Sequence, residues 1–90
     1  MTMEYRIVFD DLFFDRLARF SESERRIIYH KIEILKANPA HRSLRTQRLH
    51  RFEDFYESSV SMGIRVIWEM DDDVIIIHDV GRHDILKKYG

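Results

Sequence analysis

Three side chains in the last third of the chain could together bind or cleave RNA. Arg65 lies inside a strand-like apolar run, and His83 and Tyr89 follow the next run of this kind. An arginine carries a permanent charge on a planar group that suits phosphate oxygens. Histidine gains and loses a proton near neutral pH, and a tyrosine beside it could stack on a base or share in proton transfer. If the fold brings these groups together, the chain is a small RNA-cleaving or RNA-binding protein.

A second group of cations precedes these residues. Five lysines and arginines lie between residues 36 and 51, together with two histidines and no acid, although the whole chain has a net charge of −1. A cationic segment on an otherwise acidic chain suggests a face that binds a polyanion or an acidic partner protein. The alternative is a solvated loop whose arginines make local ion pairs. The candidate phosphate-binding residues of this segment are Arg45, Arg48, His50 and Arg51.

Composition limits the class of protein. Ninety residues form one domain, and 44% hydrophobic with 34% charged residues is typical of a globular chain. The absence of cysteine excludes disulfides and thiolate metal sites, and the histidines do not follow a metal-binding spacing. We find no signal-peptide pattern and no apolar run long enough to span a membrane. The sequence therefore predicts a single cytoplasmic domain over residues 1–90, with no metal, no cofactor and no membrane partner.

The order of apolar patterns predicts an α+β fold. A strand comes first, followed by two helices, of which the second begins with a capping box at Ser21 and Glu24 and ends before Pro39. Three further strands follow in quick succession. The predicted bounds are Tyr5–Phe9, Leu12–Phe20, Glu22–Ala37, Tyr56–Met62, Ile64–Met70 and Val74–Val80. This β-α-α-β-β-β order implies a helical hairpin packed on one face of a mostly antiparallel sheet.

The predicted strands carry apolar residues on both faces. Ile67 alternates with Val66 and Trp68 and so lies on the opposite face from them. Because one layer of helices covers only one face of a sheet, we expect Ile67 and one set of isoleucines from residues 74–80 to face outward. An apolar face of this kind is usually covered by a partner protein or by a second copy of the chain.

Taken in order, the motifs of the chain resemble those of the RelE/ParE superfamily of type II toxins. The shared features are the helix end at 35–39, the leucine anchor Leu49, the aromatic strand start at 55–56, the Gly-x-Arg-Val pattern at 63–66 and the run at 80–83 before Tyr89. The resemblance covers essentially the whole chain. It implies a cognate antitoxin that covers the outer sheet face and the site, and contact with operator DNA only within the toxin–antitoxin complex.

The resemblance also implies roles for single residues. In RelE-like toxins, which cleave messenger RNA in the ribosomal A site without metal, the strand arginine that contacts the scissile phosphate matches Arg65. Arg82 and His83 match the basic positions after the glycine, and Tyr89 matches the C-terminal aromatic residue. We therefore expect Arg65, His83 and Tyr89 to be catalytic, and Arg82 to bind a flanking phosphate.

Two strand lysines of RelE-like toxins align with Glu57 and Ser59 in this chain, so other groups must do their work. The expected reaction is RNA transesterification, in which the 2′-hydroxyl attacks the adjacent phosphorus and leaves a 2′,3′-cyclic phosphate and a 5′-hydroxyl. It needs a base, an acid and cations on the phosphate, but no metal. His83 is the first candidate for proton transfer, and His50 or Glu57 could be the second acid or base.

Three functions stay open at this point. The first is a metal-independent endoribonuclease that cleaves messenger RNA, with the ribosome as a further partner. The second is a DNA gyrase inhibitor without enzymatic activity, as in ParE-like toxins, and the third is a degenerate relative that only binds its antitoxin. The candidate residues have structural alternatives too: Arg65 could pair with an acid, His83 could be a surface loop residue, and Tyr89 could pack the C-terminal tail onto the sheet.

Overall fold

A computed structural model describes residues 4–89 as one sheet with two helices packed against it. In chain order, its helices and strands are β1 (Arg6–Phe9), α1 (Asp11–Leu17), α2 (Glu22–Ala37), β2 (Gln47–Arg48), β3 (Phe55–Ser61), β4 (Ile64–Asp71), β5 (Val74–Arg82) and α3 (Leu86–Tyr89). Two 3₁₀ turns, Arg42–Leu44 and His83–Ile85, precede β2 and α3.

The strands lie across the sheet in the order β1-β5-β4-β3-β2. Strand β1 runs parallel to β5, and the other three neighbouring pairs are antiparallel. The predicted α+β fold, a helical hairpin on a mostly antiparallel sheet, is confirmed. The sequence pattern missed β2 and α3, which have two and four residues. Elements this short show no periodicity and depend on the strand or face against which they lie.

Helix α2 begins and ends as its sequence predicts. The Ser21 hydroxyl accepts a hydrogen bond from the Glu24 amide at 3.2 Å, and the Glu24 carboxylate accepts one from the Ser21 amide at 3.0 Å. At the other end, Asn38 has an extended backbone because Pro39 follows it. Between these points, three apolar residues at helical spacing face the sheet: Ile28, Ile32 and Leu35.

The main core fills the space between the helices and the sheet. It contains Phe13 and Leu17 of α1, the apolar face of α2, and alternate residues of β4 and β5, including Val66, Trp68, Ile75 and Ile77. The indole N–H of Trp68 donates to the Ser58 hydroxyl at 2.8 Å, and this hydroxyl lies 2.7 Å from that of Thr46. The polar atoms of these side chains are therefore paired inside an otherwise apolar layer.

The other side of the sheet, here called the outer face, is formed by Arg65, Ile67 and Glu69 of β4 and the residues beside them on β3 and β5. Ile67 is fully buried, because Leu49 and Ile85 cover it. Gly81 permits this packing, since a Cβ at that position would lie only 2.7 Å from the Ile85 side chain. Ile67 thus lies on the outer face as expected, but the expectation that it needs a partner protein to cover it is wrong. The C-terminal segment folds back onto the outer face, which strand alternation could not reveal.

The isoleucines of β5 also leave no large apolar face exposed. Ile75 and Ile77 are fully buried in the main core, and Ile76, on the outer side, is the one that stays partly exposed. A cognate antitoxin is thus not needed to cover an exposed isoleucine face, and that reason for placing the partner there fails.

Candidate functional site

Arg65 lies on the outer face of β4 and is held firmly at the β3–β4 hairpin. Its Nη1 atom donates to three backbone carbonyls, those of Ser61 at 2.6 Å, Met62 at 3.2 Å and Ile64 at 3.1 Å. The side chain is only 15% exposed, and its Nε atom lies 3.7 Å from a carboxylate oxygen of Glu57. The guanidinium is therefore fixed in place before any ligand binds, with part of its edge used to close the hairpin.

Glu57 is the buried acid beside this arginine. It lies on β3, directly opposite Ile67 in the strand register, and is 8% exposed. Its Oε2 atom, the one that faces Arg65, is buried and accepts no hydrogen bond within residues 4–89. A buried carboxylate oxygen without a donor is costly, and such an atom in a folded protein calls for a specific explanation. The neighbouring Arg65 guanidinium compensates the charge of this atom but donates no hydrogen bond to it.

His83 lies at the same end of the sheet as Arg65. It begins the 3₁₀ turn after β5, and its backbone N–H donates to the carbonyl of Gly63 at 2.9 Å. Gly63 belongs to the β3–β4 hairpin that Arg65 closes, so this bond fixes His83 next to that hairpin. Its side chain is exposed. An imidazole open to solvent, on a backbone bound to the hairpin that Arg65 closes, could exchange a proton with a bound substrate.

Arg82 points away from Arg65, toward the helices. Its guanidinium donates to Glu24 at 2.6 and 3.3 Å and lies over the Phe20 ring, 4.6 Å from the centroid. This hydrogen bond, with help from the Ser21 amide, lowers the pKa of Glu24 from its ordinary 4.5 to about 2. Glu24 in turn raises the pKa of Arg82. Arg82 therefore links β5 to the start of α2, and the structure does not bring it to the outer face.

Tyr89 anchors the C-terminal helix to the sheet. Its hydroxyl donates to Asp79 at 2.8 Å, and Asp79 is fully buried. Asp79 also accepts the amide of Val80 at 2.8 Å, and Arg16 of α1 lies 3.8 Å from it. Burial, followed by the hydrogen bond to the carboxylate, raises the pKa of Tyr89. This geometry matches the alternative in which Tyr89 packs the C-terminal tail onto the sheet. Its hydroxyl proton is donated to an internal acceptor, Asp79.

The basic segment divides between two places. Arg45 follows the first 3₁₀ turn in a left-handed conformation, with φ of 46°, and lines a cavity together with Arg65. Arg48 lies on the exposed edge strand β2. His50 and Arg51 are exposed in the loop before β3, where Phe52 contacts the Tyr89 ring at 6.0 Å between centroids. The structure brings only Arg45 of this group to the cavity that Arg65 lines.

Solved structures resemble this arrangement over nearly its whole length. A chain of the archaeal RelE–RelB complex from Pyrococcus horikoshii OT3 has a TM-score of 0.75 at 22% identity, covering 89% of this chain and 96% of that chain. For the E. coli DinJ–YafQ toxin–antitoxin complex the values are 0.77 at 11% identity, covering 93% and 98%. For the RelB–RelE antitoxin–toxin complex from Methanococcus jannaschii they are 0.74 at 18% identity, covering 91% and 96%. The chain has the fold of the RelE-like toxins. No family model and no curated protein matches its sequence.

Within this RelE-like fold, Glu57 and Asp79 lie in one row across the sheet, because both are register partners of Ile67, two positions from Arg65 on β4. Tyr89 joins this row through Asp79, whereas the His83 backbone is bound at the β3–β4 hairpin on the other side of Arg65. The sequence reasoning missed Asp79 altogether. A lone acid in an isoleucine-rich strand was the signal that could have revealed it, because a buried carboxylate needs donors from neighbouring elements.

Two further observations concern other classes of site. Among residues 4–89, no three histidines or acids are placed so that they could hold a metal ion. In the same range, no helix combines the length and the apolar character that crossing a bilayer requires.

Proposed function

We propose that this chain is the toxin of a toxin–antitoxin pair and that it cleaves messenger RNA by attack of the 2′-hydroxyl on the adjacent phosphate. The observation that carries the proposal is the pair formed by Arg65 and Glu57 on the outer face. A guanidinium fixed by three carbonyls lies 3.7 Å from a buried carboxylate oxygen that lacks a donor. The RelE-like fold provides the second support.

Glu57 is the group we assign as the base. Its side chain is 11% exposed, and its carboxylate accepts the proton of the 2′-hydroxyl. Arg65 lies beside it and neutralises charge on the phosphate oxygens as the 2′-oxygen–phosphorus bond forms. Because the carbonyls already hold the guanidinium, little reorganisation is needed when that charge develops.

His83 is the group we assign as the acid. The bond from phosphorus to the 5′-oxygen breaks, and a protonated imidazole gives its proton to that oxygen. The products are a 2′,3′-cyclic phosphate and a 5′-hydroxyl, and the charges balance without a metal. Arg48, His50 and Arg51 are exposed cations or histidines along the β2–β3 connection that can contact the flanking RNA. Tyr89 is assigned to anchoring rather than to proton transfer, because its hydroxyl donates to Asp79.

The antitoxin is the second part of the proposal. Exposed apolar side chains lie on β1, which is an edge strand, and on the helices: Val8, Phe14 and Tyr29 are each 44–47% exposed. A groove of about 700 Å³ runs between β1 and α2, and Val8 and Tyr29 line it. We propose that the antitoxin covers this surface, and that operator DNA is contacted only through the antitoxin. Slower hydrogen exchange in β1 on adding the neighbouring gene product is the expected result, and unchanged exchange there would contradict it.

The experiment that tests the enzymatic part uses purified chain and a defined messenger RNA, with and without ribosomes. Cleavage products should carry a cyclic phosphate, and Glu57→Gln, Arg65→Gln and His83→Gln should each abolish cleavage. Arg26→Gln is the control, because Arg26 is an exposed helix cation whose ion-pair partner is Glu22 on the same helix. A wild-type chain that cleaves no RNA but blocks gyrase in a supercoiling assay would replace this proposal by the ParE-like function.

A further inference from the structure

A polar cavity of about 320 Å³ lies beside Arg65, on the side of the sheet where β3 meets the segment before β2. The residues that line it include three cations and three hydroxyls and no acid: Lys31, Arg45, Arg65, Ser43, Ser59 and Ser61. Positive charge is thus collected without a neutralising carboxylate in the wall itself. Such a cavity favours an anion that can accept several hydrogen bonds at once.

Lys31 reaches this cavity from helix α2. It is half-buried, and its Nζ atom lies 3.4 Å from the backbone carbonyl of Ser43, which accepts a hydrogen bond from it. This contact joins the middle of α2 to the first 3₁₀ turn. An ammonium has three donors, so one bond to a carbonyl leaves two for a ligand.

Arg45 enters the same cavity through an unfavourable backbone conformation. Its φ of 46° lies in the left-handed region, where residues other than glycine are strained. Its backbone N–H closes the 3₁₀ turn by donating to the Arg42 carbonyl at 3.2 Å. A glycine would adopt this left-handed conformation with less strain. The presence of an arginine therefore indicates a role for its side chain.

Arg65 connects this cavity to the reacting site. Ser59 of the cavity wall is its direct partner in the β3–β4 register, and Glu57 lies two positions away on β3. The same guanidinium therefore borders both the proposed base and the cavity. A chain of phosphates that passes Arg65 would place the next phosphate within reach of Lys31 and Arg45.

We propose that this cavity binds a phosphate of the RNA backbone next to the scissile phosphate, a proposal that rests on the function proposed above. A phosphodiester accepts hydrogen bonds on two free oxygens and carries a full charge, which matches ammonium, guanidinium and hydroxyl donors together. The carboxylate of an acidic peptide is the competing occupant. An RNA backbone can contact the cavity and the reacting site at Glu57 and Arg65 together, which favours RNA over such a peptide.

The test measures binding apart from cleavage. The probe is a short single-stranded oligoribonucleotide methylated at every 2′-oxygen. It has no 2′-hydroxyl group to attack the phosphate and therefore cannot be cut. Lys31→Met keeps the aliphatic stem and removes the charge, while Arg45→Gly suits the left-handed backbone and removes the guanidinium. The matched control is Arg26→Met, which removes an exposed charge from the same helix outside the cavity. Thermal unfolding of each variant shows that the fold is kept, and Arg45→Gly serves alone if Lys31→Met does not fold.

Each cavity variant should raise the Kd for the probe roughly tenfold at low salt, as expected when one charge-assisted hydrogen bond is removed. The slope of log K against log salt should fall by about 0.7 for each phosphate that the variant no longer neutralises, whereas the control keeps both values. An unchanged Kd and slope in the variants would overturn the proposal. So would variants that leave RNA binding intact and weaken binding of the antitoxin instead.

The same measurements separate this proposal from the function on which it rests. Glu57→Gln should bind the methylated probe at least as tightly as the wild type does, because it removes a negative charge next to Arg65, and it should fail to cut unmodified RNA. A wild type that binds the probe through Lys31 and Arg45 but cuts no RNA would refute the nuclease and support the cavity. If the wild type cuts RNA but the Lys31 and Arg45 substitutions leave the Kd for the probe unchanged, the nuclease is supported and the cavity proposal is refuted.

Discussion

The two faces of the sheet are built from the same strands but differ in kind. The helix-covered face holds fourteen buried hydrophobic residues in one cluster, whereas the outer face holds three in a second cluster. The outer face also contains two buried acids, Glu57 and Asp79. Within residues 4–89, the helix side has no buried acid, and its buried Ser58 hydroxyl is hydrogen-bonded to Thr46 and Trp68. Burial of apolar area provides most of the stability of a domain, so the helix side determines whether the chain folds.

This difference shows how a small domain can separate stability from chemistry. A carboxylate in the main core would weaken the layer on which the whole fold depends. On the outer face a buried acid can be kept, because a short C-terminal segment covers the sheet only in part. Asp79 is satisfied by Tyr89 and an amide, while Glu57 keeps an oxygen without a donor. One acid therefore holds the structure, and the other keeps an incomplete set of hydrogen bonds.

The largest expected effect is on the rate of RNA cleavage, and it comes from a substitution on the outer face. Glu57→Gln should lower single-turnover cleavage by roughly 10²–10⁴-fold, because the base is lost. The free energy of unfolding should also fall, by about 1–3 kcal/mol, because the pair is buried and Arg65 keeps its charge, although its three carbonyl acceptors remain. Glu53→Gln is the control, because Glu53 is an exposed acid of the preceding loop. Equal rates for the two variants would remove Glu57 from the reaction.

A pair of truncations tests the contrast in packing. Phe13→Ala should lower the free energy of unfolding by about 3–5 kcal/mol, because it opens a cavity in the main core. Ile67→Ala, across the sheet, should cost about 2 kcal/mol, at the low end of the range for a buried isoleucine, because its cluster is small and can relax. Urea unfolding measures both. If the two losses were equal, the outer cluster would have to be counted as part of the main core.

The anchoring role of Tyr89 predicts a smaller loss of stability. Tyr89→Phe removes the donor to the buried Asp79 and should lower the free energy of unfolding by about 1–3 kcal/mol. Tyr29→Phe on the exposed face of α2 is the control and should have little effect. The measurement is urea unfolding of both variants alongside a cleavage assay. Abolished cleavage at unchanged stability would return Tyr89 to proton transfer.

The smallest effect concerns acid pH and the helix side. Glu24 has a pKa of about 2 in the folded chain against an ordinary 4.5, so its ion pair with Arg82 stabilises the fold fully above pH 4.5. This contribution is lost as the pH falls from 4.5 toward about 2. Glu24→Gln should therefore flatten the acid limb of the stability profile, while its amide oxygen can still complete the capping box. Glu22→Gln is the control, and an identical acid limb in the two variants would contradict the assignment.

The sequence was a good guide to elements whose residues contact one another locally. The capping box at Ser21, the apolar spacing of α2 and the strand alternation around Trp68 each fix a local conformation, and the structure has them where they were predicted. Arg65 and His83 were named as candidates from residue type and position, and the structure places them at one end of the sheet. Their chemical roles stay predictions.

The directions of Arg82 and Tyr89 could not be read in the same way. Both follow apolar runs, and nothing in their neighbours along the chain shows that one turns to Glu24 and the other to Asp79. These partners are 58 and 10 residues away, so strand register and helix packing decide which acid each one meets. The prediction that a partner protein covers the outer isoleucines was wrong for a related reason. A four-residue helix has no sequence pattern that shows where it will pack.

The sequence by itself determined the fold class, the order of the main elements and the presence of a cationic segment in an acidic chain. These follow from local propensities and from charge, which each residue carries wherever it lies. The tertiary structure decided that Glu57 faces Arg65 with an oxygen that accepts no hydrogen bond within residues 4–89, that Tyr89 donates to Asp79, and that Lys31 and Arg45 share a cavity. Each of these depends on residues distant in sequence meeting at a particular strand register, and register is set by the packing of the whole sheet.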